Sequence, residues 1–445
     1  MLHKFIVTMI FAWRRRKDKG KKKLSKLNSC KELKVPSHFL CPISLDLMKD
    51  PVTLCTGISY DRENIEKWID TRNTTCPVTN QPLRNFDLIP NHAIRKMIQD
   101  WCVENKNYGI ERVPTPRIPV SSCEISEICS RLMVEAQRGN EKKCKELVGR
   151  VRILAKESER NKKCIVECGT GSVFSECFEI LSNVSVGIWE ELLKDLLSAL
   201  TWMFPIGEEG KSKLVSSTSL RCMAWFLKGE DLSARQNAVI VMKELLYYDQ
   251  SCANVLMEIQ DLAESLYQMV KVPICPSATK ASLMVIYSII SYTSSENVNN
   301  IVSKFVNMGL VSLILEILVD CEKSITEKAL AVLDILCNFQ EGKQKAYEHG
   351  LTIALIAKKI IKVSEMTTEC SISVLWKLCK GGNNENSVIE ALELGAFQKL
   401  LVVLQVGCGE KTKEKATELL KLMNLYKDRV DCFDGSTFMY LKKSY

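Results

Sequence analysis

The chain has 445 residues, 46% hydrophobic and 26% charged, enough for two or three domains and a sizeable core. Its net charge is +8, yet residues 1–34 alone carry twelve Lys/Arg against two Asp/Glu. The remainder is close to neutral, which excludes a general nucleic-acid-binding body and any specific nucleic-acid partner for it.

Twenty cysteines are scattered through the sequence without one C-x-x-C pair, and several, such as Cys102, Cys337 and Cys379, take apolar positions in helical patterns. Free thiols in a reducing cytosolic or nuclear compartment are the better reading than a disulfide framework. No apolar run approaches the roughly 20 residues a membrane helix needs.

At the amino end, Phe5–Trp13 is mostly apolar and is followed by Arg14-Arg15-Arg16-Lys17 and Lys21-Lys22-Lys23. A signal peptide would place the charge before the apolar run. Three readings of residues 1–34 stay open: a peripheral contact with anionic membrane, a nuclear localisation patch, or a solubilising disordered arm.

From Val35 to Asn105 the order is a loop, a hairpin, a helix, a second loop and a second helix. Val52–Tyr60 suits a hairpin turning at Thr56-Gly57, where glycine tolerates positive φ. Asp61 is placed to cap the helix that follows, on which Ile65, Trp68 and Ile69 share a face. Asn91 caps a second helix after Pro90, with Ile94, Met97, Ile98, Trp101 and Cys102 as its buried stripe. Of the residues that could hold zinc, only His38 and Cys41 have ligand spacing, and no second pair completes a site. A zinc RING or metal hydrolase fails on that ground, and no metal or other cofactor is implied. Packing and polar contacts must hold the fold instead. Asp61, Arg62, Glu66 and Asn91 are the candidates for that polar network.

Six motifs coincide in this stretch: Cys41-Pro42-Ile43-Ser44, Asp50-Pro51-Val52, Thr56-Gly57, Tyr60-Asp61-Arg62, Cys76-Pro77 and Leu88-Ile89-Pro90-Asn91. Together they closely resemble the U-box of plant ubiquitin ligases, a metal-free RING-like domain. The resemblance implies that two loops and the central helix dock a ubiquitin-charged conjugating enzyme (E2), with Ile43, Leu45, Trp68 and Pro77 as the contact residues. It further implies a scaffold that orients the E2–ubiquitin thioester, without a nucleophile of its own. In that family a side chain shortly after the Pro77 position, often arginine, bonds both E2 and ubiquitin. Here the position corresponds to Asn80, followed by Gln81, and carries no charge. Relatives often open close to a Trp-Arg-Arg-Arg run, which makes Met9 a candidate alternative start.

Val113-Pro114-Thr115-Pro116-Arg117-Ile118-Pro119 reads as a short extended linker, placed within residues 109–123. Apolar-periodic helices follow, and they repeat. EKALAVLDILC begins at Glu327 and ECSISVLWKLC at Glu369, superimposing Val332 on Val374, Leu333 on Leu375, Leu336 on Leu378 and Cys337 on Cys379. Weaker copies begin at Glu414 and Arg235, and Gly169, Gly309, Gly350 and Gly395 each open an apolar helix. This period suits armadillo or HEAT units. The pattern resembles the armadillo (ARM) repeats that follow the U-box in a large class of plant ligases. Six or seven units fit residues 124–428, leaving 429–445 as a tail. Stacked units bury a continuous core and offer a long groove for a protein substrate. At the register of Asp334 the next copy has Trp376, an aromatic of the kind enriched at binding hot spots and equally suited to a repeat interface. His349 is expected at a helix end.

The fold expected is mainly α: a small α+β U-box at 35–108 followed by an armadillo-type α-solenoid. The function expected is an E3 ubiquitin-protein ligase whose U-box recruits E2–ubiquitin and whose repeats hold the substrate. Residence in the cytoplasm, in the nucleus or at the plasma-membrane surface, and a role in plant stress or immune signalling, are implied by resemblance alone. The alternative is a non-catalytic ARM adaptor or carrier with a vestigial U-box. Asn80 speaks for that alternative, and the intact loops around Ile43 and Pro77 speak against it.

Overall fold

The computed structural model describes residues 35–115, 119–184, 186–293, 295–361, 364–380 and 385–429. The expectations for the basic arm at 1–34 and for the tail beyond 429 lie outside them. By contacts the chain divides into two units, Met1–Ile118 and Pro119–Tyr445, each described here by itself.

In the first unit, β1 (Pro51–Thr53) is central, pairing antiparallel with β2 (Ser59–Asp61) and with β3 (Ile89–Pro90). The tight turn between β1 and β2 places Gly57 at φ 79°, which only glycine adopts without strain. Helix α1 (Arg62–Asp70) follows β2 directly, and α2 (His92–Glu104) follows β3. Asn91 caps α2 as expected, its Oδ1 accepting from the Ile94 N–H at 3.0 Å. The core gathers Val52, Tyr60, Ile65, Cys76, Ile98 and Cys102, all essentially without exposure. Met97 does not belong to it. Half of Met97 is exposed, because α2 has only one flank against the sheet and turns this position to solvent.

The linker is shorter than expected. Val113 is buried in the first unit's core, and Gln99 Nε2 donates to the Val113 carbonyl (3.0 Å) and to Thr115 Oγ1 (3.1 Å). On the far side Val120 is buried in the second unit, its N–H bonded to Asn161 Oδ1 at 3.0 Å. Two apolar residues among the prolines were enough to draw both ends of the segment onto a core, each burial being worth about 1.5 kcal/mol or more.

The second unit opens with α3 (Ser122–Gln137) and α4 (Glu141–Glu157). Three-helix repeats follow: α5 (Glu159–Glu167), α6 (Thr170–Val184) and α7 (Glu190–Leu200); then α8 (Glu208–Val215), α9 (Ser217–Lys228) and α10 (Leu232–Tyr248). Next come α11 (Cys252–Met257), α12 (Leu262–Lys271) and α13 (Pro276–Tyr292); then α14 (Ser295–Asn307), α15 (Leu310–Val319) and α16 (Lys323–Leu336). The last two are α17 (Gln340–Glu348), α18 (Thr352–Lys359) and α19 (Glu365–Cys379), and α20 (Glu385–Glu393), α21 (Ala396–Val406) and α22 (Glu410–Asn424).

The third helices, from α4 and α7 through α22, lie side by side in one row, so each repeat buries its apolar stripe against its neighbours. Gly309 and Gly395 hold left-handed backbone (φ 88° and 72°) at the corners before α15 and α21. Gly350 is different: its φ is not positive, and α18 begins two residues later at Thr352. His349 ends α17, with its Nδ1 buried. Among the described residues no single helix is long and apolar enough to cross a membrane.

Candidate functional site

Two loops of the first unit share one backbone plan. In Cys41–Asp46, the Cys41 N–H donates to the Asp46 carbonyl and the Leu45 N–H to the Cys41 carbonyl, both at 2.8 Å. In Cys76–Gln81, the Cys76 N–H donates to the Gln81 carbonyl and the Asn80 N–H to the Cys76 carbonyl, both at 2.9 Å. Each loop is closed by a single β-bridge just outside it, Leu40 with Leu47 and Thr75 with Pro82. In each the fifth residue is left-handed, Leu45 at φ 62° and Asn80 at φ 56°. For asparagine that conformation is common; for leucine it is strained, and such strain concentrates at functional sites.

One face of α1 clamps both loops. Asn64 Nδ2 donates to Ser44 Oγ (3.1 Å) in the first loop, and one turn later Trp68 Nε1 donates to the Thr75 carbonyl (2.8 Å) at the base of the second.

Under the loops, the two cysteine sulfurs act as hydrogen-bond hubs. The Asp61 N–H donates to Cys41 Sγ at 3.3 Å. Thr56 Oγ1 donates to Cys76 Sγ at 3.4 Å, and Tyr60 Oη lies 3.0 Å from the same sulfur while accepting from the Val78 N–H. Burial alone would push the Cys76 thiol up, but hydrogen bonds from Thr56, Thr79 and Tyr60 outweigh it and hold the thiol at about 6. Burial, with the bond to Cys76 behind it, pushes the Tyr60 hydroxyl far upward.

The polar network differs from the expected one. Asp61 sits at the N-cap position of α1, but its side chain makes no cap bond. Its Oδ1 instead accepts from the Lys49 and Asp50 N–H groups, both at 2.8 Å, and so closes the segment after the first loop. The charged hub is Asp50, which the sequence reading passed over. Its Oδ2 takes Arg62 Nε at 2.7 Å, and its Oδ1 takes Arg95 from α2. Glu66 is peripheral, 3.8 Å from Arg62. Asn91 belongs to a separate cluster, its Nδ2 reaching Thr53 Oγ1 (3.3 Å) and Ser59 Oγ (3.2 Å) across the sheet.

Ile43 and Leu45 are exposed, by 37% and 66%, while Trp68 and Pro77 are half-buried between the loops and the core. Val78, 51% exposed, occupies in the second loop the place Ile43 has in the first. The sequence reading missed it, although setting CPISLD over CPVTNQ would have shown it. Asn80 and Gln81 are exposed on the same loop.

The plant U-box protein ARM repeat region profile matches residues 124–442 and the U-box domain profile residues 35–107. The chain belongs to the plant U-box/ARM protein family. Its relatives include U-box domain-containing protein 21 of Arabidopsis thaliana, 46% identical over 445 residues, covering 98% of this chain and 100% of that one. The E3 ubiquitin-protein ligase PUB22 of the same plant is 34% identical over 423 residues, covering 88% and 94%. Among solved structures an engineered protein shares the fold at TM-score 0.52 and 13% identity, over 68% of this chain and 71% of that one. A designed armadillo repeat protein covers 53% of this U-box/ARM chain and 94% of its own length, at TM-score 0.44 and 19% identity.

Proposed function

We propose that the two Cys-Pro loops and the α1 face between them are the E2-docking surface of a U-box E3 ubiquitin-protein ligase. The activity class follows from the family, whose members include proteins named E3 ubiquitin-protein ligase. The protein works with an E2 enzyme, its ARM repeats bind substrate, and it transfers ubiquitin as a scaffold.

The observation that carries the docking assignment is the twinned loop geometry. Each loop spends its backbone bonds internally and is bolted to α1, and between them they leave Ile43, Leu45 and Val78 facing solvent. Apolar groups held rigidly outward are better explained by a partner than by the fold's own needs. Trp68 supports the surface from beneath, and Pro77 continues it. Asn80 makes no side-chain bond among the described residues, so its amide is free to donate to the E2–ubiquitin conjugate. Charge is not required for that role; a neutral hydrogen bond contributes about 1 kcal/mol.

The test is ubiquitin transfer with E1, a panel of E2s and ATP, run on the full chain and its variants. Ile43→Ala is expected to abolish ubiquitin ladders with an unchanged circular dichroism spectrum. Asn80→Gly, which keeps the left-handed backbone, is expected to slow transfer about fivefold without weakening E2 capture. Full activity of Ile43→Ala with several E2s would move the docking surface elsewhere. Residues 1–34, with their apolar run and polybasic stretch, support a peripheral contact with anionic membrane, and the many reduced thiols support a cytoplasmic or nuclear location. Family resemblance alone supports stress or immune signalling. Imaging a fluorescent fusion with and without residues 1–34 decides the location.

A further inference from the structure

Successive repeats meet at clefts bounded by the end of one second helix, the start of its third helix and the next second helix. Two of these clefts, three repeats apart, differ in charge. The one between α9, α10 and α12 has about 540 Å³ and is lined by Lys228, Arg235, Asp261 and Glu264. There two bases stand with two acids, and Lys228 Nζ lies 2.9 Å from Asp261. The one between α18, α19 and α21 has about 470 Å³, and among the described residues its charged lining is Glu365 and Glu369.

Glu365 and Glu369 stand one turn apart on α19, Glu365 at the helix's first residue, so the like-charge repulsion between them is set against the favourable field of the helix N-terminus. Neither makes an ion pair or hydrogen bond among the described residues. Lys413, a base near the cleft's edge, is directed to Glu410 at 4.0 Å. The facing wall is apolar and open: Ile361 and Val402 are exposed, and Val406 is exposed by 82%. A branched apolar shelf thus stands beside two carboxylates that carry no ion pair among the described residues, a surface suited to a partner with an apolar group and a cation.

We propose that this cleft grips a polypeptide segment of the substrate in which a lysine or arginine stands next to a branched apolar side chain. The apolar group covers Val402 and Val406, and the cation answers Glu365 and Glu369. That the bound protein is a substrate rests on the ligase reading above; that the cleft selects this chemistry does not.

The test is fluorescence anisotropy of labelled decapeptides on the full chain, with no E2 or ubiquitin present. Three centres between Gly-Ser spacers are compared: Lys-Leu-Val-Arg, Lys-Ser-Ser-Arg and Glu-Leu-Val-Glu. The first is expected to bind about tenfold more tightly than either of the others, ~1.4 kcal/mol. Its binding is expected to fall about tenfold in Glu365→Gln/Glu369→Gln and in Val406→Ser, surface changes that leave the circular dichroism unchanged. Rising salt should weaken it in the wild-type chain and far less in the double glutamine variant. Equal affinity for the three peptides, or an unaltered double variant, overturns the proposal. Tighter binding here of a peptide of residues 5–17 also overturns it, making the chain's own amino end the occupant. Because the readout omits transfer, a chain that makes no ubiquitin ladders but selects the first peptide refutes the ligase reading alone.

Discussion

Asp50 ties the U-box corner together from three directions. Its side chain holds Arg62 at the start of α1 and Arg95 on α2, and its own N–H is held by Asp61. The three side chains are 12–21% exposed, so removing the carboxylate strands two mostly buried guanidiniums. Asp50→Ala is expected to destabilise the first unit by about 3 kcal/mol, the lower end for breaking a buried pair. Glu66→Gln, on the rim of the same cluster, is expected to cost under ~1 kcal/mol. Hydrogen exchange read by mass spectrometry on full-length protein checks both, with peptides from 35–115 losing protection in the first variant. Unchanged exchange in Asp50→Ala would show that the two arginines find other partners. No local pattern announced this hub, because Arg95 lies 45 residues away in sequence. Asp61 illustrates the converse: its place before α1 was legible, but its carboxylate is drawn to two N–H groups of the preceding segment.

At the scale of the element, the repeats were the most legible part of the chain. Period alone placed Val332, Leu333 and Leu336, and their counterparts Val374, Leu375 and Leu378, and all six are fully buried. Where the signal was weaker the register slipped. Ala238, Val239, Leu245 and Leu246 occupy the buried places of Ser371, Ile372, Leu378 and Cys379, one residue away from the match the letters suggest around Arg235. Glycine was only half read. Gly309 supplies a left-handed corner, as its place before an apolar helix implied, but Gly342 serves close approach instead. It is the third residue of α17, and a Cβ there would collide with the Leu336 carbonyl oxygen. Gly210, third in α8, is equally crowded, by Ile206 and the Ser172 backbone. In an open helix Gly→Ala gains about 1 kcal/mol. Here the obstacle at Gly342 is backbone, which cannot rotate away, so Gly342→Ala is expected to destabilise by about 1–3 kcal/mol net. Chemical denaturation followed by circular dichroism decides the sign, and a gain would mean that α17 can shift outward freely.

For the whole molecule, the consequence of a solenoid is that disturbance travels only to neighbours. Asp334 and Trp376 share a register in consecutive repeats, and both are used to join third helices. Lys377 Nζ reaches Asp334 Oδ1 at 2.7 Å, tying α19 back to α16, while Trp376 Nε1 donates to Glu418 Oε2 at 2.7 Å, tying α19 forward to α22. Lys380 and Lys415 lie 4.4 and 5.6 Å from the Trp376 ring, and Lys380 also pairs with Glu418. An aromatic that the sequence offered equally as a binding residue and as an interface residue is thus already engaged between repeats. Trp376→Ala removes one hydrogen bond to a carboxylate and two cation–π contacts, all at solvent-facing positions, and so loosens the join between α19 and α22 without unfolding the row. Hydrogen exchange should therefore rise in peptides spanning 385–424 and stay unchanged in those spanning 159–292. The U-box lies outside the row, so ubiquitin ladders formed without substrate should persist at the wild-type rate. Loss of protection along the entire row would instead make the solenoid a single cooperative unit in which Trp376 is a keystone.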